Sequence, residues 1–226
     1  MNLAHTPVLK LLDAFAALDS CAVSDALDTV GLPAGVGALP PMWGVPTVVG
    51  LAVTVQVEPY EPGPAGPHLA VSAVAGAGPH DVMVVANDSR TDVSCWGGLL
   101  CLGAQLRGVR AAVVDGACRD VAEAHELGFP VYARASVPVT ARGRLRQRST
   151  GEPVVIAGVP VEPGDVVVAD STGVAFVPRA RAAEVLELAS AVQEREHAIA
   201  ADLHAGVPLP RAMHDARLAG HHQETS

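Results

Sequence analysis

Val8, Leu11, Leu12, Phe15 and Leu18 recur at three- and four-residue steps with Lys10 and Asp13 between them, which predicts an amphipathic surface helix over residues 6–18. A second short helix is expected at Ser24–Val30, with Ser24 or Asp25 as its cap. Gly31–Pro46 is rich in glycine and proline and reads as a long connection. Thr47–Val57 is β-branched and nearly all apolar, the pattern of a strand covered on both faces. Glu58–Pro67 follows as a proline-rich loop.

Further on, Leu69–Ala75 predicts a short helix, and Asp81–Ala86 a buried strand closed by the polar run Asn87-Asp88-Ser89-Arg90. Residues 99–107 read as a helix and Arg110–Val114 as the next strand. Asp120–Leu127 is a short helix with Gly128 placed for a left-handed C-cap. Val131–Val177 is a series of short strands and turns, with Pro163-Gly164-Asp165 turning into Val166–Ala169. Arg179–Ala205 is a long last helix, and 207–226 a loose tail. Strand–helix alternation in the middle and a strand-rich later part predict an α/β chain with layered β/β/α packing, one domain over 1–206 and no internal repeat.

Half of the 226 residues are apolar but only seven are aromatic, so the core is expected to be built from Val, Ala and Leu. A net charge of −9 argues against a general nucleic-acid binder, since neutralising phosphates takes a surplus of Lys and Arg. The four cysteines, Cys21, Cys95, Cys101 and Cys118, have neither C-x-x-C spacing nor disulfide density, and read as reduced thiols of a cytoplasmic protein. No apolar run is long enough to span a membrane.

Common catalytic signatures are missing. There is no phosphate-binding Gly-x-x-x-x-Gly-Lys loop, Gly76-Ala77-Gly78 lacks the third glycine of a dinucleotide loop, and His125-Glu126 has no second histidine at zinc-protease spacing. Neither Ser94 nor Ser171 sits in a nucleophile elbow. Lys10 is the single lysine and lies on the first helix, so Schiff-base chemistry, which needs a buried amine, is not expected. Carbonyl chemistry would then need a metal ion or an arginine as electrophile.

Two segments can supply one. Trp96-Gly97-Gly98-Leu99-Leu100 brings a glycine pair into a helix start, where backbone N–H groups can receive a carboxylate; an ordinary flexible turn is the alternative. Val113 to Asp120 is a buried strand running into a turn that ends in Arg119 and Asp120. Asp120-Val-Ala-Glu123 also has the form of a capping box, a purely structural role.

Trp96-Gly97-Gly98-Leu99-Leu100, Gly108 and Asp115-Gly116-Ala117-Cys118-Arg119-Asp120, in this order and spacing, resemble the family of 4-hydroxy-4-methyl-2-oxoglutarate aldolases and regulator-of-RNase-E-activity-A-like proteins. Val23-Ser24-Asp25-Ala26-Leu27, Val161 to Asp170 and Gly173-Val174 extend the likeness over roughly Asp13–Gly206. The resemblance implies a swivelling, phosphohistidine-domain-like β/β/α fold, assembled as a homotrimer or a dimer of trimers with sites between subunits. It implies a divalent ion, Mg or Mn, held mainly through waters with Asp120 as the direct protein ligand. It places Arg119 on the keto oxygen of a small 2-oxo acid and the backbone of Gly97, Gly98, Leu99 and Leu100 on its carboxylate. A glutamate of a neighbouring subunit's last helix stands near the metal waters; Glu196 fits it by position, ahead of Glu194.

The implied activity is retro-aldol cleavage of 4-hydroxy-2-oxo diacids or decarboxylation of oxaloacetate, both giving pyruvate. Twenty-one positions before the arginine, where the aldolases carry an acid, this chain has Gly98; with Glu123 after Asp120 it is closer to the decarboxylating pattern. A non-enzymatic regulator of an RNA-processing enzyme, or a lyase with another substrate, is the alternative. Arg142, Arg144, Arg146 and Arg148 alternate and read as one solvated or interface face of a strand, with RNA or phosphate binding as the alternative. Asp88 and Arg90 are candidates for the same cleft or for a surface turn. His197 and His204, seven apart on one helical face, read as core-edge or surface residues, the tail pair His221-His222 as solvated, and Cys118 has no neighbouring base to make it a nucleophile.

Overall fold

The computed structural model describes residues 6–61 and 68–214. Part of the proline-rich loop, and the tail from 215 with His221 and His222, lie outside them.

Helix α1 spans Thr6–Phe15 and α2 spans Ser20–Thr29. The second starts earlier than its apolar pattern suggests. Asp19 is the cap, its Oδ1 accepting the Ala22 N–H at 2.8 Å, so neither Ser24 nor Asp25 has that role. Ser20 gives both its N–H and its hydroxyl to Asp170 at 2.7 Å, an anchor supplied from far along the chain.

Strands β1 (Val48–Pro59), β2 (Asp81–Trp96), β3 (Ala111–Cys118) and β4 (Val131–Ser136) alternate with helices α3 (Val71–Gly76), α4 (Gly98–Leu106) and α5 (Val121–Glu126). Short strands follow: β5 (Leu145–Thr150), β6 (Val154–Ile156), β7 (Val159–Val161), β8 (Val166–Ala169) and β9 (Val174–Val177). After a 3-10 turn at Arg179–Arg181 come the long helix α6 (Ala182–His204) and a short α7 (Leu209–Ala212). The four alternating arginines do not share a strand: β5 begins at Leu145, so only Arg146 and Arg148 lie on it, and Arg142 and Arg144 belong to the preceding turn.

Seven strands make one mixed sheet in the order β4-β3-β2-β1-β8-β9, with β5 beside the upper part of β1, and β6–β7 form a separate hairpin. β1 to β4 run parallel, whereas β5 and β8 are antiparallel to β1. Alternate residues of each strand enter different cores. Met83, Val85, Ala112 and Val114 face α3, α4 and α5. Val49, Val166 and Val168, on the same side, face α1, α2 and α6. Val82, Val84, Val113 and Val167 point the other way, under Val154, Ile156 and Val161 of the hairpin and Leu39 of the connection before β1. The chain is therefore an α/β fold with helices on one face of a sheet and a hairpin on the other.

The strand expected at Asp81–Ala86 does not stop at the polar run. Asp88 and Ser89 take left-handed φ angles of 48° and 60°, and the strand then resumes as far as Trp96. Its register with β3 shifts accordingly, from Ala86 opposite Asp115 to Arg90 opposite Gly116, Ser94 opposite Ala117 and Trp96 opposite Cys118. At the kink the Asp115 carboxylate, almost fully buried, pairs with Arg134 and accepts the Ala157 N–H of the hairpin turn at 2.8 Å.

Candidate active site

Because β2 continues to Trp96 while β3 ends at Cys118, the start of α4 and the turn Arg119-Asp120 emerge side by side at one end of the sheet. Trp96 fixes this corner from below. Its ring stacks on Phe129 with centroids 6.5 Å apart, and its Nε1 donates to Cys101 Sγ at 3.2 Å. Arg119 N–H donates to Trp96 O at 2.9 Å, joining the two segments through the backbone.

Asp120 stands at the N-cap of α5 with φ 58°, a left-handed conformation that aspartate tolerates better than most side chains. Its side chain makes no cap hydrogen bond with its own helix, so the capping-box role is not adopted. Oδ2 instead crosses to accept the Gly98 N–H at 3.0 Å, and lies 3.2 Å from Arg119 Nε. Oδ1 has no donor among the described residues. Glu123 also turns to this corner: a Cβ added at Gly98 would run into its Oε2, and one at Gly97 would lie 2.8 Å from Asp120 Oδ2. Two carboxylates and one guanidinium thus converge on a glycine pair whose missing side chains make the room.

A cleft of about 380 Å³ opens here, lined among others by Gly97, Gly98, Leu99, Leu100 and Arg119. The expected amide cradle is smaller than four groups. Gly98 N–H is taken by Asp120 and Leu100 N–H by Gly97 O, whereas Leu99 N–H has no acceptor among the described residues. Two residues not assigned to the site by the sequence, Arg142 and His68, also line the cleft. Glu196 lies exposed on α6, which packs on α1 and α2 rather than on this corner, so the chain does not bring it to its own Arg119. Asp88 and Arg90 are not in the cleft lining; Arg90 pairs with Asp92 at 2.8 Å. His197 and His204 are exposed on α6, and Lys10 is exposed on α1.

The thiols beneath the corner are held protonated. Burial pushes Cys95 and Cys118 up to about 12 and Cys101 up to about 11, so Cys118 is no nucleophile at neutral pH despite preceding Arg119. Among the described residues no three His, Cys, Asp or Glu side chains form a cage for a metal ion. What the corner offers a cation is carboxylate oxygen from Asp120 and Glu123, the donor type suited to Mg or Mn with the remaining positions filled by water. Among the described residues no helix is long and apolar enough to cross a membrane.

Several known proteins are similar to this chain. The chain is 30% identical to protein DlpA of Legionella pneumophila over 91% of its own length, but spans only 34% of that longer protein. It is 33% identical to a putative 4-hydroxy-4-methyl-2-oxoglutarate aldolase of Halalkalibacterium halodurans, covering 84% of this chain and 87% of the relative. Streptomyces coelicolor RraAS2, described as an unusual member of the RNase ES inhibitor RraA protein family, superposes with a TM-score of 0.76 at 26% identity, over 83% of this chain and 94% of that one. Residues 20–176, which include both segments of the corner, match the RraA-like family profile, Aldolase/RraA, and the chain belongs to that family.

Proposed function

We propose that this protein is a divalent-metal-dependent carbon–carbon lyase of small 2-oxo acids, releasing pyruvate from oxaloacetate, from 4-hydroxy-2-oxo diacids, or from both. The observation that carries the reading is Arg119 on the lining of a glycine-floored cleft, with Asp120 Oδ2 3.2 Å from its Nε and accepting the Gly98 N–H of that floor.

Asp120 is suited to hold Mg or Mn directly through Oδ1, with Glu123 reaching its waters across Gly98. Such an ion supplies positive charge where electron density grows on the keto oxygen. Arg119 directs N–H groups to the same oxygen, stabilising the charge that arrives as the carbon–carbon bond beta to the ketone breaks. The free Leu99 N–H at the start of α4 orients the substrate's carboxylate, helped by the helix dipole. Gly98 in place of an acid, with Glu123 occupying its side-chain space, favours decarboxylation as the principal activity.

The rest of the assignment belongs to the same reading: a swivelling, phosphohistidine-domain-like β/β/α domain over 1–206, a tail after it, and a cytoplasmic homotrimer or dimer of trimers. Leu99, Leu102 and Leu106 form an exposed apolar row on α4, which supports burial against another copy; Glu196 of a neighbour would then complete the site. Likeness to RraAS2 favours a second reading, a regulator that binds an RNA-processing enzyme through its surface. Pyruvate release from oxaloacetate with Mg or Mn, abolished by a chelator, is the test. A preparation that turns over no 2-oxo acid with either metal, yet captures such a partner equally well as Asp120→Ala, would overturn the lyase in favour of the regulator.

A further inference from the structure

The loop between β4 and β5 brings a second guanidinium into the cleft. Thr140, Ala141 and Arg142 line it together with Gly97–Leu100 and Arg119. This loop is tied to the core on both sides of the site. Val137 N–H donates to Cys118 O at 2.9 Å, immediately before Arg119. Ser94 donates both its N–H, at 3.0 Å, and its hydroxyl, at 2.6 Å, to Val139 O, and Arg144 N–H closes the turn onto Ala141 O at 2.8 Å. Arg142 is therefore carried on a backbone fixed relative to Arg119.

The neighbouring arginines have other partners. Arg144 folds back on Thr140 O at 3.2 Å, and Arg146 pairs with Glu58 at 2.7 Å. The Arg142 guanidinium has no acceptor among the described residues; only its backbone N–H is engaged, by Thr140 Oγ1 at 3.3 Å. Arg119 and Arg142 both line the cleft; Asp120 pairs with Arg119, whereas Arg142 has no Asp or Glu partner among the described residues. A guanidinium without a carboxylate partner, beside the apolar surfaces of Leu69, Trp96 and Ala141, selects an anionic group on the substrate.

Resting on the lyase reading of this site, we propose that Arg142 is its specificity-determining residue, receiving the second carboxylate of a 4-hydroxy-2-oxo diacid, the one that stays on the departing carbonyl fragment, while the keto end lies at Arg119. The planar fork of a guanidinium fits a carboxylate with two parallel hydrogen bonds. A monocarboxylic 2-oxo acid would leave that fork without its partner, so the cleft discriminates by charge at the far end of the substrate.

The test uses the full chain saturated with Mg and two stable ligands with five carbons, 2-oxoglutarate and 2-oxovalerate, which differ in one carboxylate. Calorimetry is expected to show the diacid bound about tenfold more tightly or better, the usual worth of one charge-assisted contact. Arg142→Ala removes that preference while leaving 2-oxovalerate affinity within about twofold, and Arg142→Lys restores part of it. Equal weakening of both ligands, no preference in the unaltered protein, or a preference that survives Arg142→Ala overturns the assignment. Pyruvate release from oxaloacetate is measured alongside. Absent turnover with the preference intact sinks the lyase but not Arg142; turnover with a preference indifferent to Arg142→Ala sinks Arg142 but not the lyase. Failure to bind either acid sinks Arg142, and absent turnover beside it sinks the lyase too.

Discussion

Arg119 Nε lies 3.2 Å from Asp120 Oδ2 although the two residues are adjacent in the chain, where an extended backbone would send their side chains to opposite faces. The left-handed φ of 58° at Asp120 turns the second side chain back beside the first. A positive centre and an oxygen donor are thereby held on one side of a rigid strand end.

That pairing predicts different defects for the two residues. Arg119→Ala should lower kcat for oxaloacetate decarboxylation about 100- to 1,000-fold, the range for loss of one group that stabilises a developing oxyanion. Asp120→Asn keeps a side chain that tolerates left-handed backbone, and should fold normally while losing affinity for Mn, read by titration of the metal. Full activity in either variant would contradict the proposed roles.

Glu123 and Gly98 should behave as a coupled pair. A methyl group in Gly98→Ala meets the end of the flexible Glu123 side chain, which must swing away. Decarboxylation is expected to fall about tenfold in both Gly98→Ala and Glu123→Gln, with the double variant no worse than the poorer single one. Additive losses in a double-mutant cycle would show independent action.

Thiol chemistry should not touch the site. With Cys95 and Cys118 at about 12 and Cys101 at about 11, iodoacetamide at pH 7.5 is expected to label the exposed Cys21 and spare these three until the protein is unfolded. Intact-mass measurement counts the adducts. Cys118→Ala should retain activity within a few-fold.

A stability prediction concerns Asp170, which is not among the residues lining the cleft. Burial alone would raise its carboxyl, but the N–H and hydroxyl of Ser20 and the N–H of Thr172 outweigh it and hold the group below its ordinary 3.8. A carboxyl depressed in the folded state stabilises above that ordinary value, and the contribution disappears as pH falls through the lower folded value. Ser20→Ala is expected to cost about 1–2 kcal/mol in urea unfolding at pH 7. The difference from the unaltered protein should shrink below pH 4.

Much of the candidate site's geometry is legible in the sequence because its parts are short and contiguous. Gly97-Gly98 before a helix, and Arg119-Asp120 after an apolar strand, can be read without knowing what lies across the sheet. The features that were not legible depend on distant partners. Asp170 reaches Ser20 from the other end of the chain, so the true start of α2 is invisible in its own residues. Asp120-Val-Ala-Glu123 has every mark of a capping box, and only the proximity of Gly98 shows that its carboxylates point elsewhere. In sequence Arg142 reads as one tooth of an alternating strand face, because the ties from Ser94 and Cys118 that make its segment a loop come from β2 and β3. The polar run Asn87–Arg90 resembled a terminus, although two left-handed residues let β2 pass through it.

That detour in β2 has a consequence for engineering. The strand leaves its register at Ala86, meets β3 singly at Arg90 and Ser94, and rejoins it at Trp96 opposite Cys118, so many more residues of β2 than of β3 lie between the outer pairings. Thr91 and Asp92 are exposed along the excursion, while both rejoining residues are buried. An epitope or fluorophore spliced at that outward-facing stretch should be accommodated as slack, leaving the spacing between Gly97 and Arg119 unaltered.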